Sequence, residues 1–478
     1  MLKTEPIVPI HVVQSILPDT IMLGEELMKK QGIPQAQHIS LQFGIYKQTI
    51  KVLPASNKLG LTMHSRLAQQ LAIPLTRGEL KLALHYDKTK ARLKLGPLLA
   101  VLINKEDPHD ETRPFGSISS FCSELAMACT QHGAFVYFFT PDSLIGNGTL
   151  ISGWILDGEW RQQILPLAEV VYNRLPSRKA ENQPAVQRFI HETARYYNIA
   201  LFNERFLDKH EVFELLANNE GIASHLPESQ LFTQFEQLQH MLHKHSILYV
   251  KPIHGSMGRG IYRITMLPNQ GFGLERANTS STLISKFTTL KGLYTSLRPK
   301  LKKRKYQLQQ GLSLIQIGRR PVDFRALVQK NGSGEWSVTS IVARTAGNEQ
   351  FVANVAKGGS IGSVMTTLPK TNLLQHIDHE AVFQSLKATA VKIANIIGEQ
   401  LSEHFAELGI DLAVDVQGKV WLLEVNSKPS KIDNTSMNRS KIRPSVRMLL
   451  AYAKHLTGFQ EGRRPNGQSK IRNSRSQN

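Results

Sequence analysis

The sequence predicts an α/β (α+β) chain built in three units, and three stretches carry that expectation. One is a hairpin from Gly409 to Pro429, and another is a strand–glycine loop–strand from Ser246 to Met266. The third is a change of pattern upstream, where a β-rich stretch of about 105 residues gives way to helix–strand alternation. At 478 residues and 41% apolar content the chain is long enough for two or three domains with their own cores.

Residues 1–105 read as a β-rich N-terminal domain. Apolar and polar residues alternate over Ile39–Ile45 and Gln48–Leu53, a short helix fits His64–Leu71, and Gly96-Pro97 leads into an apolar strand, Leu98–Ile103. No chemistry-bearing pattern appears there. The charged loop Asn104–Gly116 opens an α/β unit spanning 106–204, with a helix at Ser117–Gln131, a buried strand at Ala134–Phe139 and a strand Ala168–Tyr172 that leads to Arg174 and Arg178. Residues 205–460 form the largest unit, ending in a helix over Ser445–Leu456, and 461–478 form a basic tail expected to be disordered.

The hairpin holds the densest chemistry. Its apolar runs, Ile410–Val416 and Lys419–Val425, flank Gln417-Gly418, which predicts a two-residue turn and sets Asp411 directly opposite Glu424. Asn426 falls on the same face by alternation, and Leu412, Val414, Val416, Trp421, Leu423 and Val425 fall on the other, predicted to be the core face. Opposed carboxylates repel unless a cation lies between them. Two carboxylates and an amide oxygen make an all-oxygen set of the kind that suits Mg²⁺ or Mn²⁺ carrying nucleotide phosphate. A solvated rim of an ordinary hairpin is the competing reading.

Upstream, a strand ending in Lys251 precedes His254–Gly260 and a second strand. Gly255, Gly258 and Gly260 let backbone N–H groups approach an anion, and Lys251 adds a point charge. No Gly-Lys-Ser/Thr follows and no helix opens after the loop, so neither a P-loop nor a dinucleotide fingerprint fits. A flap over phosphates does. Between flap and hairpin, Pro321–Val328 alternates Asp323 and Arg325 against apolar residues. Trp336–Arg344 continues the sheet, and Asn354–Ser360 contains a glycine turn beside Lys357. Arginines at 325 and 344 suit fork-like binding of phosphate or carboxylate oxygens, with a structural ion pair as the alternative at Asp323 and Arg325.

Two cysteines, Cys122 and Cys129, lie seven apart on a predicted helix and read as buried small hydrophobes; zinc-ligand spacings are absent. With no run of about eighteen apolar residues and no leader pattern, the chain is expected to be soluble, intracellular and not transmembrane. The net charge is +20. Half of it comes from six cations in Arg298–Lys305 and a net four in Glu461–Asn478. An amphipathic pattern at Leu283, Phe287, Leu290, Leu297 and Leu301 predicts that the internal cluster rides on a helix face. Such charge favours polyanions, whereas the lack of interleaved aromatics argues against sequence-specific nucleic-acid binding.

The order of these parts resembles the ATP-grasp superfamily. More closely it resembles the YheC/YheD family of endospore coat-associated ATP-grasp proteins, through LGPLLAVL (Leu95–Leu102), YNRLPSR (Tyr172–Arg178), KPIHGSMGRGIYRI (Lys251–Ile264), QQGLSLIQIGRRPVDFRALVQKNGSGEW (Gln309–Trp336) and LLEVNSKPS (Leu422–Ser430). The resemblance implies an ATP-grasp fold after a preATP-grasp-like α/β domain. It implies ATP and Mg²⁺ (or Mn²⁺) as cofactors, and carboxylate–amine or carboxylate–thiol ligation through an acyl phosphate. Lys209, Lys251 and the flap residues Gly255, Ser256, Met257, Gly258, Arg259 and Gly260 would meet ATP phosphates, and Gln309, Gln310, Gly311 and Leu312 would border the adenine. Asp411, Glu424 and Asn426 would ligate the metal, and Arg325 and Arg344 would act catalytically near the transferred phosphate. Gln309 and Gln310 stand where such ligases often place an acid for the ribose, so no ribose contact is assigned. The preATP-grasp placement makes Arg174 and Arg178 candidate substrate contacts. A cytoplasmic, spore-coat-associated protein is implied, with coat proteins or an anionic polymer as partners of the basic segments. A non-catalytic coat-assembly protein and a polyanion binder with a regulatory nucleotide site stay open as alternatives.

The basic tail lies outside every one of these motifs. Deleting Glu461–Asn478 is therefore expected to leave ATP affinity unchanged and to lower the salt needed for elution from heparin. Loss of ATP binding in the truncated protein would contradict the reading.

Overall fold

The computed structural model describes residues 5–55, 60–74, 76–107, 109–144, 148–253, 260–268, 271–277, 282–347, 359–431 and 442–459. The first unit is a closed seven-stranded barrel. Its strands run Ile7–Val13, Leu61–His64, Thr20–Gly24, Tyr46–Ala55, His38–Phe43, Arg92–Gly96 and Lys81–Asp87 around the ring, and Lys81–Asp87 closes onto Ile7–Val13. Alternation explains closure: Leu41, Phe43, Leu93, Leu95 and Leu84 are sealed inside, and the residues between them face out. The predicted short helix spans Ser65–Gln70, with the His64 ring accepting from Arg66 N at 3.0 Å as its cap.

A six-stranded sheet follows, ordered Glu159–Pro166, Leu150–Asp157, Phe135–Phe139, Leu98–Leu102, Val170–Asn173, Ala200–Phe202. Leu98–Leu102, grouped by sequence with the N-terminal residues, pairs in parallel with Phe135–Phe139 and Val170–Asn173 and belongs to this sheet. Its five residues are all buried, as a central parallel strand covered on both faces requires. The hairpin Leu150–Pro166 was not read from the sequence. Helix Ser119–Gln131 covers one face with Phe121, Cys122, Leu125 and Cys129, and burial pushes the Cys129 thiol up to about 12. The last helix, Pro444–Thr457, returns to this unit and buries Val446, Leu449, Leu450 and Tyr452 in the same core.

Two further sheets make the site. One is antiparallel throughout: Ser229–Phe232, Tyr306–Gln310, Ile247–Pro252, Tyr262–Met266, Phe272–Ala277, Thr282–Phe287. Helices Phe235–Lys244 and Leu290–Leu301 cover it through Leu238, Met241, Leu293 and Leu297. The predicted amphipathic helix begins only at Leu290, because Thr289 caps it, accepting from Gly292 N at 3.2 Å. Leu283 and Phe287 lie in the edge strand instead, and Lys303–Lys305 follow the helix. The other sheet is ordered Ser360–Ser363, Trp336–Thr345, Arg320–Lys330, Glu407–Val414, Val420–Asn426, with Gln316–Ile317 paired to Arg320–Lys330, and it rests on the helix His379–Gln400. No helix among the described residues is long and apolar enough to cross a membrane.

The hairpin in this sheet departs from the expected turn in two compensating ways. Asp415 N donates to Lys419 O at 3.0 Å and Gly418 N to Asp415 O at 2.9 Å, so three residues form the turn, with Gly418 at φ 83. A β-bulge after Asp411 then pairs Leu412 with Leu422 while Asp411 meets Glu424. The extra turn residue and the bulge cancel, so the expected Asp411–Glu424 pair forms. Between turn and bulge, side-chain parity is reversed. Val420 and Leu422 are the buried residues, and Val416, Trp421 and Leu423, expected in the core, are only half-buried.

A Cβ at Gly418 would lie 2.8 Å from Ile377 Cγ2, in a backbone conformation that disfavours L side chains. Gly418→Ala is expected to cost about 1–2 kcal/mol. A thermal melt of the variant should show a midpoint a few degrees lower; an unchanged midpoint would mean that the turn relaxes freely.

Candidate active site

Alternation along Arg320–Lys330 buries Val322, Phe324, Ala326 and Val328 and turns Asp323 and Arg325 to the other face. Register supplies the partners. Arg325 stands across from Asp411, Asp323 across from Arg344, and Asn426 across from Gly409. Arg325 donates Nη2 to Asp411 Oδ2 at 2.7 Å and Nε to Oδ1; Arg344 Nη2 lies 3.2 Å from the same Oδ1. Arg344 Nε also donates to Asp323 Oδ1 at 2.6 Å. Asp411 is thus gripped by two guanidinium groups.

Glu424 has a different partner. Asp208 caps helix Lys209–Ala217, accepting from His210 N at 2.8 Å, and this places Lys209 at the first helical position. Its Nζ donates to Glu424 Oε2 at 2.6 Å, and Asn426 Nδ2 donates to Glu424 Oε1 at 2.9 Å. Burial opposes ionisation of Glu424, but Lys209, Asn426 and Arg325 outweigh it and hold the carboxyl down at about 2.

Lys251 comes from the antiparallel sheet. It ends Ile247–Pro252 and donates to Gln309 Oε1, whose Nε2 donates to Ser229 Oγ at 3.0 Å. Burial, and then repulsion from Lys209, lower its ammonium to about 8 against the opposing pull of Glu424. Lys251 thus shares an electrostatic environment with Lys209 and Glu424. Gln310 accepts from Glu228 N at 3.1 Å, and Gly311 N donates to Ile247 O at 2.8 Å. A Cβ on Gly311 would come within 2.5 Å of Ile247 Cγ2, so the crossing from Gln310 to Leu312 needs glycine there. Gly260 follows the flap with φ 75. Gly255, Ser256, Met257, Gly258 and Arg259 lie outside the described residues, as do Lys357 and Gly358.

The structure therefore brings Lys209, Lys251, Gln309, Arg325, Arg344, Asp411, Glu424 and Asn426 into one region between two sheets. Four cations face three carboxylates there, counting Asp323. Asp411, Glu424 and Asn426 form an all-oxygen set with the chemistry of a hard divalent cation. Glu424 stays ionised, and the Asn426 amide nitrogen is committed to Glu424, so its oxygen is the atom that could serve as a ligand. Among the described residues no group of three or more His, Cys, Asp or Glu side chains is placed to hold a metal. A cation here takes two carboxylates at most, as suits one that completes its shell with phosphate and water. The donor chemistry fits such a group, which would have to be admitted beside Lys209 on Glu424 and beside Arg325 on both oxygens of Asp411.

Of the two arginines expected near substrate, Arg178 donates to the Phe206 and Leu207 carbonyls at 3.2 and 2.6 Å and so braces the chain entering the site. Arg174 sits over the Tyr172 ring, with Nε and Nη1 buried and without hydrogen-bond partners. A buried polar network was missed. Glu407 accepts from Tyr172 OH at 2.6 Å, from Gln329 Nε2 at 2.8 Å and from Lys431, tying the second unit to the hairpin sheet. Its members are 78 and 235 positions apart for Gln329 and Tyr172, and no local pattern marks them.

Against known proteins, a family model described as YheC/D-like ATP-grasp matches residues 198–456, more than half of the chain. The chain belongs to the YheC/D-like ATP-grasp family. Two relatives from Bacillus subtilis (strain 168) align over most of their length. Endospore coat-associated protein YheD is 28% identical over 321 residues, 67% of this chain and 70% of the relative. Endospore coat-associated protein YheC is 22% identical over 325 residues, 66% and 85% respectively. Among solved structures, D-alanyl-alanine synthetase A from Vibrio cholerae O1 biovar eltor str. N16961 superposes at TM-score 0.42, 11% identity, covering 76% of this chain and 98% of that one. The VanG D-Ala:D-Ser ligase from Enterococcus faecalis gives TM-score 0.43, 13% identity, 76% and 99%. Within the YheC/D-like match lie all the residues gathered between the two sheets.

Lys251 supplies a pH handle. With its ammonium lowered to about 8, the folded chain binds fewer protons than the unfolded one between about 8 and 10.5, so this group makes stability rise with pH across that window. Anion binding should go the other way. ATP affinity is expected to fall as pH rises through about 8, and Lys251→Arg, which stays charged, should flatten the fall. Calorimetric titrations across that range check it; an identical fall in the variant would assign the titration elsewhere.

Proposed function

We propose that this chain is an ATP- and Mg²⁺-dependent ligase that joins a carboxylate to an amine, or to a thiol, through an acyl phosphate. The observation that carries the reading is the convergence of four cations, three from two sheets and Lys209 from a helix, around a pair of directly opposed carboxylates. Mg²⁺ held by Asp411, Glu424 and Asn426 would neutralise charge on the nucleotide phosphates. Lys251 and Lys209 would meet phosphate oxygens. Gln309, Gln310, Gly311 and Leu312 border the adenine. Arg325 and Arg344, held rigid by Asp411 and Asp323, stabilise negative charge on the phosphoryl group as it transfers to the acid substrate. This chemistry needs positioning and charge neutralisation more than a protein nucleophile. The names of the B. subtilis relatives support a place in spore-coat or envelope formation.

A second reading, a nucleotide-binding coat-assembly protein without turnover, draws on one observation: both oxygens of Asp411 are already taken by arginine. Release of ADP from ATP in the presence of pooled amino acids, short peptides or cell-wall precursors, with mass spectrometry of the products, separates the two. Substrate-dependent ADP and a mass-shifted product support the ligase; nucleotide binding without turnover supports assembly. In either case Glu424→Gln is expected to weaken ATP binding at least about tenfold in Mg²⁺ and far less in EDTA. Equal effects in both conditions would remove the metal assignment.

A further inference from the structure

The barrel carries no assigned role, yet its outer wall forms a charged cavity. Gln42 lies across from Lys47 on one neighbouring strand and from Lys94 on the other, and Arg92 lies across from Asp87. Because Leu41, Phe43, Leu93 and Leu95 occupy the interior positions, these polar residues share the outer face. The second unit and the end of helix Pro444–Thr457 border them, and the half-open cavity between measures about 520 Å³, a volume suited to a small ligand.

Lys47, Lys90, Arg92 and Lys94 line this cavity with only Asp87 and Glu169 against them. Lys94 is engaged, with Nζ 2.9 Å from Glu169 Oε1 and 2.6 Å from Thr457 O. Lys47 and Lys90 have no carboxylate within ion-pair distance among the described residues, and Arg92 Nη1 reaches only the neutral Gln42 Oε1, at 3.2 Å. Burial, and then Arg92 and Lys94, lower the Lys47 ammonium against the opposing pull of Glu169, as expected where cations outnumber carboxylates. Two atoms in the floor are orphaned: Arg92 Nε, a donor, and Glu169 Oε2, an acceptor. Buried polar atoms in folded proteins are partnered, and each exception calls for a cause. Glu169 is nine-tenths buried.

We propose that this cavity is a binding site for a small hydroxylated organic anion of the sugar-phosphate class. Its phosphate would sit among Lys47, Lys90 and Arg92, where charge-assisted bonds would offset the excess of cations. Its hydroxyls would donate to Asp87 and Glu169. A bare phosphate would leave most of the volume unfilled. The site is separate from the nucleotide region, and it holds whether or not the chain is a ligase. An occupant touching barrel, second unit and C-terminal helix would lock three parts of the chain together.

Ribose 5-phosphate, ribose and inorganic phosphate are suitable probes, titrated calorimetrically into the full-length protein at about 0.15 M salt, where loose surface attraction is screened. Ribose 5-phosphate is expected to bind one site, more tightly than phosphate, and ribose not at all. Lys47→Gln with Lys90→Gln, both exposed, should weaken binding at least about tenfold. Arg298→Gln with Lys300→Gln removes the same charge from helix Leu290–Leu301 and should change nothing. Mg-ATP binding, followed in parallel, should be equal in all three proteins, so failure of the nucleotide reading registers separately. No binding of either anion, or equal weakening by both double variants, would overturn the proposal. Phosphate binding as tight as that of ribose 5-phosphate would overturn the hydroxyl part alone.

Discussion

Asp411 and Glu424 face each other across one rung of a β-ladder, and the surrounding structure is arranged to make that juxtaposition stable. Like charges in a directly opposed pair repel, and burial would add to the cost. The chain answers with two guanidinium groups on Asp411 and one ammonium on Glu424, each delivered by a different element. Arg325 and Arg344 come from neighbouring strands of the same sheet, so they are fixed by register. Lys209 comes from a helix capped by Asp208, and it is the adjustable member: a flexible stem with one point charge. A metal entering this face would compete with Lys209 for Glu424 and leave the arginine clamp in place, and the freed ammonium would lie beside Lys251.

Much of this was legible in the chain itself, for physical reasons that differ from one element to the next. The strand Arg320–Lys330 could be read because it is buried on one face only, so that alternation marks which side chains share a side. The glycine loop is an expectation from composition, and the two strands that flank it, Ile247–Pro252 and Tyr262–Met266, are paired as expected. Residues 254–259 lie outside the described structure, so only the flanking strands and Gly260 can be compared with that reading. The Asp411–Glu424 pairing emerged at the expected position through cancellation. A sequence does not announce a bulge, and the extra turn residue at Val416–Gly418 shifted the ladder by as much as the bulge shifted it back. The buried parity of Val420 and Leu422 records that correction.

Long-range polar pairs were illegible. Glu407 meets Tyr172 from the second unit, Lys209 meets Glu424, and Arg443 reaches Glu124 on helix Ser119–Gln131. The sequence marks Lys209 and Glu424 for other roles, and nothing in the local windows of Glu407, Glu124 or Arg443 marks a buried partner. Only the tertiary arrangement makes them partners, and short-range periodicity carries no information about it. The strand Leu98–Leu102 failed for a related reason. A uniformly apolar run signals burial on both faces without saying which sheet supplies the neighbours.

The return of helix Pro444–Thr457 to the second unit has a consequence for biosynthesis. Its residues Val446, Leu449 and Leu450 complete the core around helix Ser119–Gln131, which leaves the ribosome more than three hundred residues earlier. At ordinary elongation rates that helix waits on the order of tens of seconds with part of its apolar face uncovered. The barrel, whose strands are all contiguous in the first hundred residues, has no such delay. The nascent chain therefore emerges with its barrel strands complete and the core of the middle unit still open on one side.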